Sequence, residues 1–262
     1  MKVKKIYFIL LIFALVGCQS EYQKLLTGSD YEEQYTTAVS YYEKGDYLKA
    51  YTLFENILPA YRLTEKAEKI NYYIANCYFK ENDFLMSAYY FERFTMSFPA
   101  SELLEEAYYY TAVCYYYNSP KSSLDQSHTV KAINSFQMYL NKYNKGKYSK
   151  ESNDYIAELR AKIEKKAFDN SKIYFELADY KAAVIALKNC LKDFPDSKYR
   201  EEIIFLTLRS SFLLAENSVE SKKIDRYEIA ANDYKAYIDE YPKGQRAKDA
   251  EKIFLQVKKH IN

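Results

Sequence analysis

Five short segments of this chain stand in register with one another, and that register constrains the fold more than any other feature. They are Thr37-Ala-Val-Ser-Tyr41, Ile74-Ala-Asn-Cys-Tyr78, Thr111-Ala-Val-Cys-Tyr115, Asn170-Ser-Lys-Ile-Tyr174 and Leu208-Arg-Ser-Ser-Phe212. Each ends in an aromatic residue, and four have Ala or Ser second. A trio follows each segment: Ala50/Phe54/Ile57, Ser87/Phe91/Phe94, Ala132/Phe136/Tyr139, Ala183/Leu187/Cys190 and Ala230/Tyr234/Tyr237. Offsets of four and then three place each trio on one face of a helix. A self-similar period of this length means stacked supersecondary units, each too small to bury its apolar face alone.

The residue types have physical causes. A small residue on each helix of a pair lets the two backbones approach, and the aromatic one turn later fills the space beside it. Pro99, Pro195 and Pro242 fall twelve residues after the small residue of the second helix. Proline lacks an N–H and clashes with the preceding turn, so it ends that helix; Asn144 takes the place in the third repeat, and Arg62 in the first, with Pro59 displaced. Ser101 and Ser197 are placed to cap the next helix. Turns are expected at Lys44-Gly45-Asp46, Glu81-Asn82-Asp83 and Leu177-Ala178-Asp179, a long loop from Asn118 to His128, and a charged helical stretch from Lys150 to Lys166. The pattern resembles the tetratricopeptide repeat, most closely from Gly45 to Phe54 and from Ala75 to Pro99. The resemblance implies an all-α fold of five helix-turn-helix repeats stacked into an α-solenoid, its concave face lined by the first helices.

The first eighteen residues carry a different signal. Lys2, Lys4 and Lys5 precede an apolar run from Ile6 to Val16, and Leu15-Val-Gly-Cys18 then gives way to polar residues. Eleven apolar residues are too few to span a bilayer, which takes about 20, but they suit the middle of a secretory signal. The last four residues resemble the bacterial lipobox. That resemblance implies cleavage before Cys18 and a covalent lipid on it, an anchor without a membrane span. Gln19 rather than Asp after that cysteine favours the outer membrane.

Several functions are disfavoured by composition. Three of the 38 basic residues lie in the leader, against 36 acidic ones, so the mature chain is near neutral and has no footprint for nucleic acid. Cys77, Cys114 and Cys190 sit inside apolar helical patterns and read as buried thiols, with no metal cluster. His128, expected in a loop, and His260 stand far apart with no nucleophile beside them, and the five glycines are isolated, so no phosphate loop forms. No enzyme activity is expected, and no cofactor beyond the lipid on Cys18.

The order of these features resembles the BamD family, lipoproteins of the outer-membrane β-barrel assembly machinery. Glu21 to Leu26 runs into the first helix, Pro120 to Gln126 lies where the family has an Asp-rich loop, and Ala215 to Ser218 with Arg226-Tyr227 matches its last repeat. The resemblance implies a lipid-anchored, periplasm-facing scaffold at the outer membrane. Its partners would be the POTRA domains of a BamA-like barrel protein and unfolded outer-membrane precursors. Another tetratricopeptide lipoprotein, organising cell-wall or transport complexes, is the alternative. The expected organisation is a signal peptide (1–17), a lipidated tether (18–29), repeats one to three (30–149) and repeats four and five (150–262). Helical spacing gives the concave face as Glu32, Tyr35, Val39 and Tyr42, then Lys69, Tyr72, Asn76 and Lys80, then Glu106, Tyr109, Val113 and Tyr116. Within it, Tyr35, Tyr72, Asn76, Lys80 and Tyr109 are the candidates for a client groove. Arg209 and Arg226 are the candidates for partner docking.

Overall fold

The computed structural model describes residues 21–62 and 64–261; Cys18 and the leader lie outside them. The described residues form twelve α-helices and no strand. They are α1 (Glu21–Thr27), α2 (Tyr31–Glu43), α3 (Tyr47–Tyr61), α4 (Lys66–Lys80), α5 (Phe84–Ser97), α6 (Leu104–Tyr117), α7 (Ser127–Lys142), α8 (Ser149–Glu176), α9 (Tyr180–Asp193), α10 (Arg200–Glu216), α11 (Glu220–Glu240) and α12 (Ala247–Ile261). The described residues divide into two compact units, one of residues 21–120 and 127–156, the other of 121–126 and 157–261. The charged stretch expected from Lys150 is continuous with the first helix of repeat four, giving the 28-residue α8. His128 lies in the first turn of α7 and not in a loop.

Three repeats turn in the same way, for a reason written in the sequence. Gly45, Asn82 and Ala178 hold φ of +81°, 61° and 59°, the left-handed conformation that ends a helix sharply. The next residue, Asp46, Asp83 or Asp179, sends its N–H back to the carbonyl of the segment's aromatic, Tyr41, Tyr78 or Tyr174. Its carboxylate then accepts the N–H of Lys49, Met86 or Ala182, capping the second helix. One tripeptide thereby stops one helix and starts the next.

In the first unit the core is the interdigitation of the small residues and the trios. Ala38, Ala50, Phe54, Ile57, Phe91, Phe94, Ala112, Phe136 and Tyr139 are all fully buried. Where Ser87 replaces alanine, its hydroxyl donates to the Ala75 carbonyl across the helix pair at 3.0 Å, so a buried hydroxyl is satisfied at the crossing. Cys77 and Cys114 are buried free thiols. Burial pushes each thiol up to about 12. In the second unit Ala183, Leu187 and Cys190 pack with Phe168, Ile203 and Leu206. Beyond them α12 buries Ala250 and Val257 and turns a polar outer face to solvent, as a terminal repeat must. Leucine in place of Ala50 or Ala183 is expected to overpack its crossing and lower stability by about 1–3 kcal/mol. Thermal melts of the two variants check this; unchanged midpoints would break the register.

A second periodicity joins each repeat to the turn that follows it. Glu68, Glu105, Glu164 and Glu201 each stand seven residues before the small position of their first helix. Each accepts hydrogen bonds from the last turn of the second helix or the loop that leaves it. In repeats two and four the donors are the hydroxyls of Ser101 and Ser197, both at 2.6 Å. In repeats three and five they are the hydroxyls of Tyr139 and Tyr237, both at 2.8 Å, with the backbone N–H of Lys147 and Arg246. Glycine then replaces the serine: a Cβ on Gly146 would lie 2.3 Å from the Glu105 carboxylate and 2.6 Å from the Tyr139 hydroxyl, and Gly244 repeats this against Glu201 and Tyr237. The serines accept the N–H of Leu103 and Tyr199, one residue before the helix proper, instead of capping the helix itself as expected. This carboxylate register also moves the fifth repeat by one. Glu201 places Leu208 at the small position, so Arg209 is the exposed residue after it and not the counterpart of Ala112.

Candidate functional site

The face read as a client groove is walled by rings that are held from behind. On α2, Tyr35 meets Phe54 edge-on at 6.2 Å. On α4, Tyr72 meets Phe91 and Phe94 edge-on at 5.8 and 5.6 Å, and Tyr73 stacks on Phe54 at 5.1 Å. Edge and offset ring contacts of this kind fix the side chains. Tyr35, Thr36, Val39, Lys69, Tyr72, Tyr73 and Leu103 line one open cavity of about 440 Å³, within the size range of small-ligand sites.

Its electrostatics are simple. Lys66 lies 4.8 Å over the Tyr35 ring, but its ammonium is bound to Glu32, which also accepts from the Tyr61 hydroxyl. The hydrogen bond from Lys66, then that from Tyr61, holds the Glu32 carboxyl below its ordinary value. Lys69, exposed at the rim, pairs with no described carboxylate. Burial, reinforced by the Glu106 carboxylate, raises Tyr72, so its hydroxyl is neutral and acts as a donor. The cavity therefore offers aromatic walls with one available cation, an arrangement for an apolar ring carrying a nearby carboxylate.

The structure brings only some of the candidates together. Tyr35 and Tyr72 share the cavity. Asn76 is 7% exposed, donates its amide N–H to the Tyr72 carbonyl at 3.0 Å and does not line the cavity. Tyr109 is 5% exposed, because Tyr148, from the turn before α8, stacks on it at 3.9 Å. Lys80 is exposed in the last turn of α4 and does not line the cavity. Thr36, Tyr73 and Leu103 were missed. Thr36 and Tyr73 neighbour the face residues Tyr35 and Tyr72, and Leu103 comes from the next repeat, so none follows from the spacing along one helix.

In the second unit Arg209 is exposed on α10, its guanidinium 4.9 Å from the Phe175 ring and 5.8 Å from that of Phe205. It pairs with no described carboxylate. Stacked in this way, it keeps its donors free in a fixed plane. Arg226, on α11, instead donates to the Ser218 hydroxyl in the preceding turn. No hydrogen bond or ion pair joins the two arginines. His260 stacks on Tyr227 at 4.2 Å, and no group of three or more His, Cys, Asp or Glu that could hold a metal is present among the described residues.

The tyrosines give the site and its surroundings a pH limit. Burial pushes Tyr42 up to about 12, and burial with the Glu105 bond does the same for Tyr139, against an ordinary 10.0. A raised folded value means this contribution is complete below pH 10 and is lost as pH rises through about 12. Urea midpoints should therefore hold to about pH 10 and fall above it, with tyrosinate absorbance lagging behind that of free tyrosine.

Comparison with known proteins gives a family and a weak likeness among solved structures. No curated protein matches the chain. Among solved structures, the TPR2AB-domain:pHSP90 complex of yeast Sti1 aligns at 12% identity over 88% of this chain and 99% of that one, with a TM-score of 0.39; the fold assignment rests on the repeats themselves. No described helix is long and apolar enough to cross a membrane. The family model described as YfiO, outer membrane lipoprotein, matches residues 28–226. That span takes in the cavity of repeats one and two and both arginines, and the chain belongs to the YfiO family of outer membrane lipoproteins.

Proposed function

We propose that this chain is a lipid-anchored scaffold of a β-barrel assembly machinery, facing the periplasm from the outer membrane. Cys18 carries the lipid. The cavity of repeats one and two takes the aromatic end of an unfolded barrel precursor. The ring enters between Tyr35 and Tyr72, and Lys69 meets the terminal carboxylate. The C-terminal repeats dock the POTRA domains of a BamA-like partner, and the stacked, unpaired guanidinium of Arg209 supplies one contact. The observation that carries the reading is the cavity itself: rigid aromatic walls with a single available ammonium at the rim, on the face that a stacked repeat presents to an extended peptide.

Co-purification tests this. The anchored protein, extracted in mild detergent, should bring down a barrel protein with POTRA domains, and Arg209→Glu should weaken that association. Cys18→Ala should abolish incorporation of a palmitate analogue and release the protein from the membrane fraction. Recovery of cell-wall synthases without a barrel protein would favour the envelope-organising alternative.

A further inference from the structure

The position two residues before the small residue of each second helix is apolar and exposed throughout the first unit. Leu48, Leu85 and Val130 are 58%, 55% and 46% exposed. The same position in repeats four and five is Lys181 and Glu228. Scattered exposed aliphatics need no explanation. A row kept at one register and replaced by charge elsewhere in the same chain does need one.

The start of the described chain lies at this row. α1 runs alongside α3, beginning where α3 begins. The Tyr22 hydroxyl donates to the Lys49 carbonyl at 3.2 Å, the Tyr22 ring meets Tyr41 edge-on at 5.8 Å, and Asn56 donates to the Leu26 carbonyl at 3.1 Å. Residues 21–27, expected within a tether, are thus a helix fixed to repeat one. Three peptide units separate Cys18 from Glu21, a reach of about 11 Å at most. An anchor on Cys18 would hold the beginning of α3, where Leu48 lies, close to the lipid surface.

We infer that the helix-turn edge of repeats one to three rests on the bilayer that holds the anchor, with Leu48, Leu85 and Val130 entering the headgroup region. The inference rests on the lipid-anchor reading above. The turns of this edge carry both signs, Glu43, Lys44 and Asp46 in one and Lys80, Glu81 and Asp83 in the next. Apolar insertion and not attraction to anionic lipid therefore holds it, and the contact is insensitive to salt. The consequence is an orientation: the first unit stands on its turn edge, with the cavity of repeats one and two at a fixed height above the membrane.

The chain has no tryptophan, so one introduced tryptophan is a clean reporter. Residues 18–262 carrying Leu48→Trp, Leu85→Trp or Val130→Trp, with Lys181→Trp and Glu228→Trp as references, are coupled through Cys18 to a maleimide headgroup. The vesicles are phosphatidylcholine with brominated acyl chains. The other cysteines are buried, and this anchor is present whether or not cells acylate Cys18. At positions 48, 85 and 130 the emission should move to the blue and be quenched about twofold or more, in low and high salt alike, as for groups seated 5–10 Å deep. At 181 and 228 it should stay as in water. Water-like, unquenched emission at all five positions overturns the edge contact. Separately, an intact mass of the cell-derived protein without acyl chains overturns the anchor, and with it the membrane role of the edge in the cell.

Discussion

Replacing Gly146 with serine is expected to destabilise the first unit by about 2–3 kcal/mol, although serine is the residue at the same place in repeats two and four. The added Cβ would lie 2.3 Å from the Glu105 carboxylate, 2.6 Å from the Tyr139 hydroxyl and 2.9 Å from the Tyr143 Cβ, an overpacked site that costs about 1–3 kcal/mol. It also displaces a charge-assisted hydrogen bond. Tyr139→Phe alone should cost about 1.5–3 kcal/mol. It removes the donor to Glu105 and the oxygen that accepts the Tyr148 N–H at 2.9 Å. The two changes together rebuild the arrangement of repeat two, where Phe94 stands with Ser101. The double variant should be more stable than the sum of the single effects by more than about 1 kcal/mol. Urea denaturation of the four proteins gives the coupling directly. Additive losses would mean that the serine and tyrosine solutions are not interchangeable.

The second large effect is expected in client binding, on the reading proposed above. A peptide ending in an aromatic residue with a free carboxylate should bind about 10 to 100 times more weakly to Lys69→Ala, the loss of one charge-assisted bond. Amidating the peptide should cost the same with the unaltered protein and nothing further with Lys69→Ala, since both changes remove the same pair. Lys80→Ala should leave affinity unchanged. Lys69 and Lys80 are both exposed, so none of these variants should disturb folding, and a melt confirms it. If Lys80 and not Lys69 carries the effect, the client lies along the end of α4 and not in the cavity.

The fold was legible because its rules are local. The small residues, the trios and the turn tripeptides state helix ends and faces within a dozen residues; the first four trios are buried, while in the fifth Tyr234 is half-buried, and the segment aromatic Tyr174 is exposed. The last repeat slipped by one because the small position there holds Leu208, and the residue that fixes its register, Glu201, acts through a bond to Tyr237 36 positions later. A carboxylate on a first turn looks like an ordinary solvated one until its partner is known. The groove was half legible for a similar reason. Spacing along a helix says which residues share a face, and Tyr35 and Tyr72, both named by it, line one cavity. It cannot say what the following segment covers. Tyr148 covers Tyr109, and Asn76 turns its amide to its own helix. The long α8 was legible in part: Lys150 to Lys166 reads as helical, and no Gly or Pro separates Lys150 from Glu176 to interrupt the helix.

The most direct test of the proposed scaffold places a photo-reactive phenylalanine at position 72 of the full-length, anchored protein in growing cells. Irradiation should join that position to outer-membrane barrel precursors through their C-terminal segments, and Lys69→Glu in the same protein should abolish the adducts. The same probe at position 174, which is exposed on α8, should give none. Equal adducts at both positions, or none with any barrel precursor at position 72, would contradict the account.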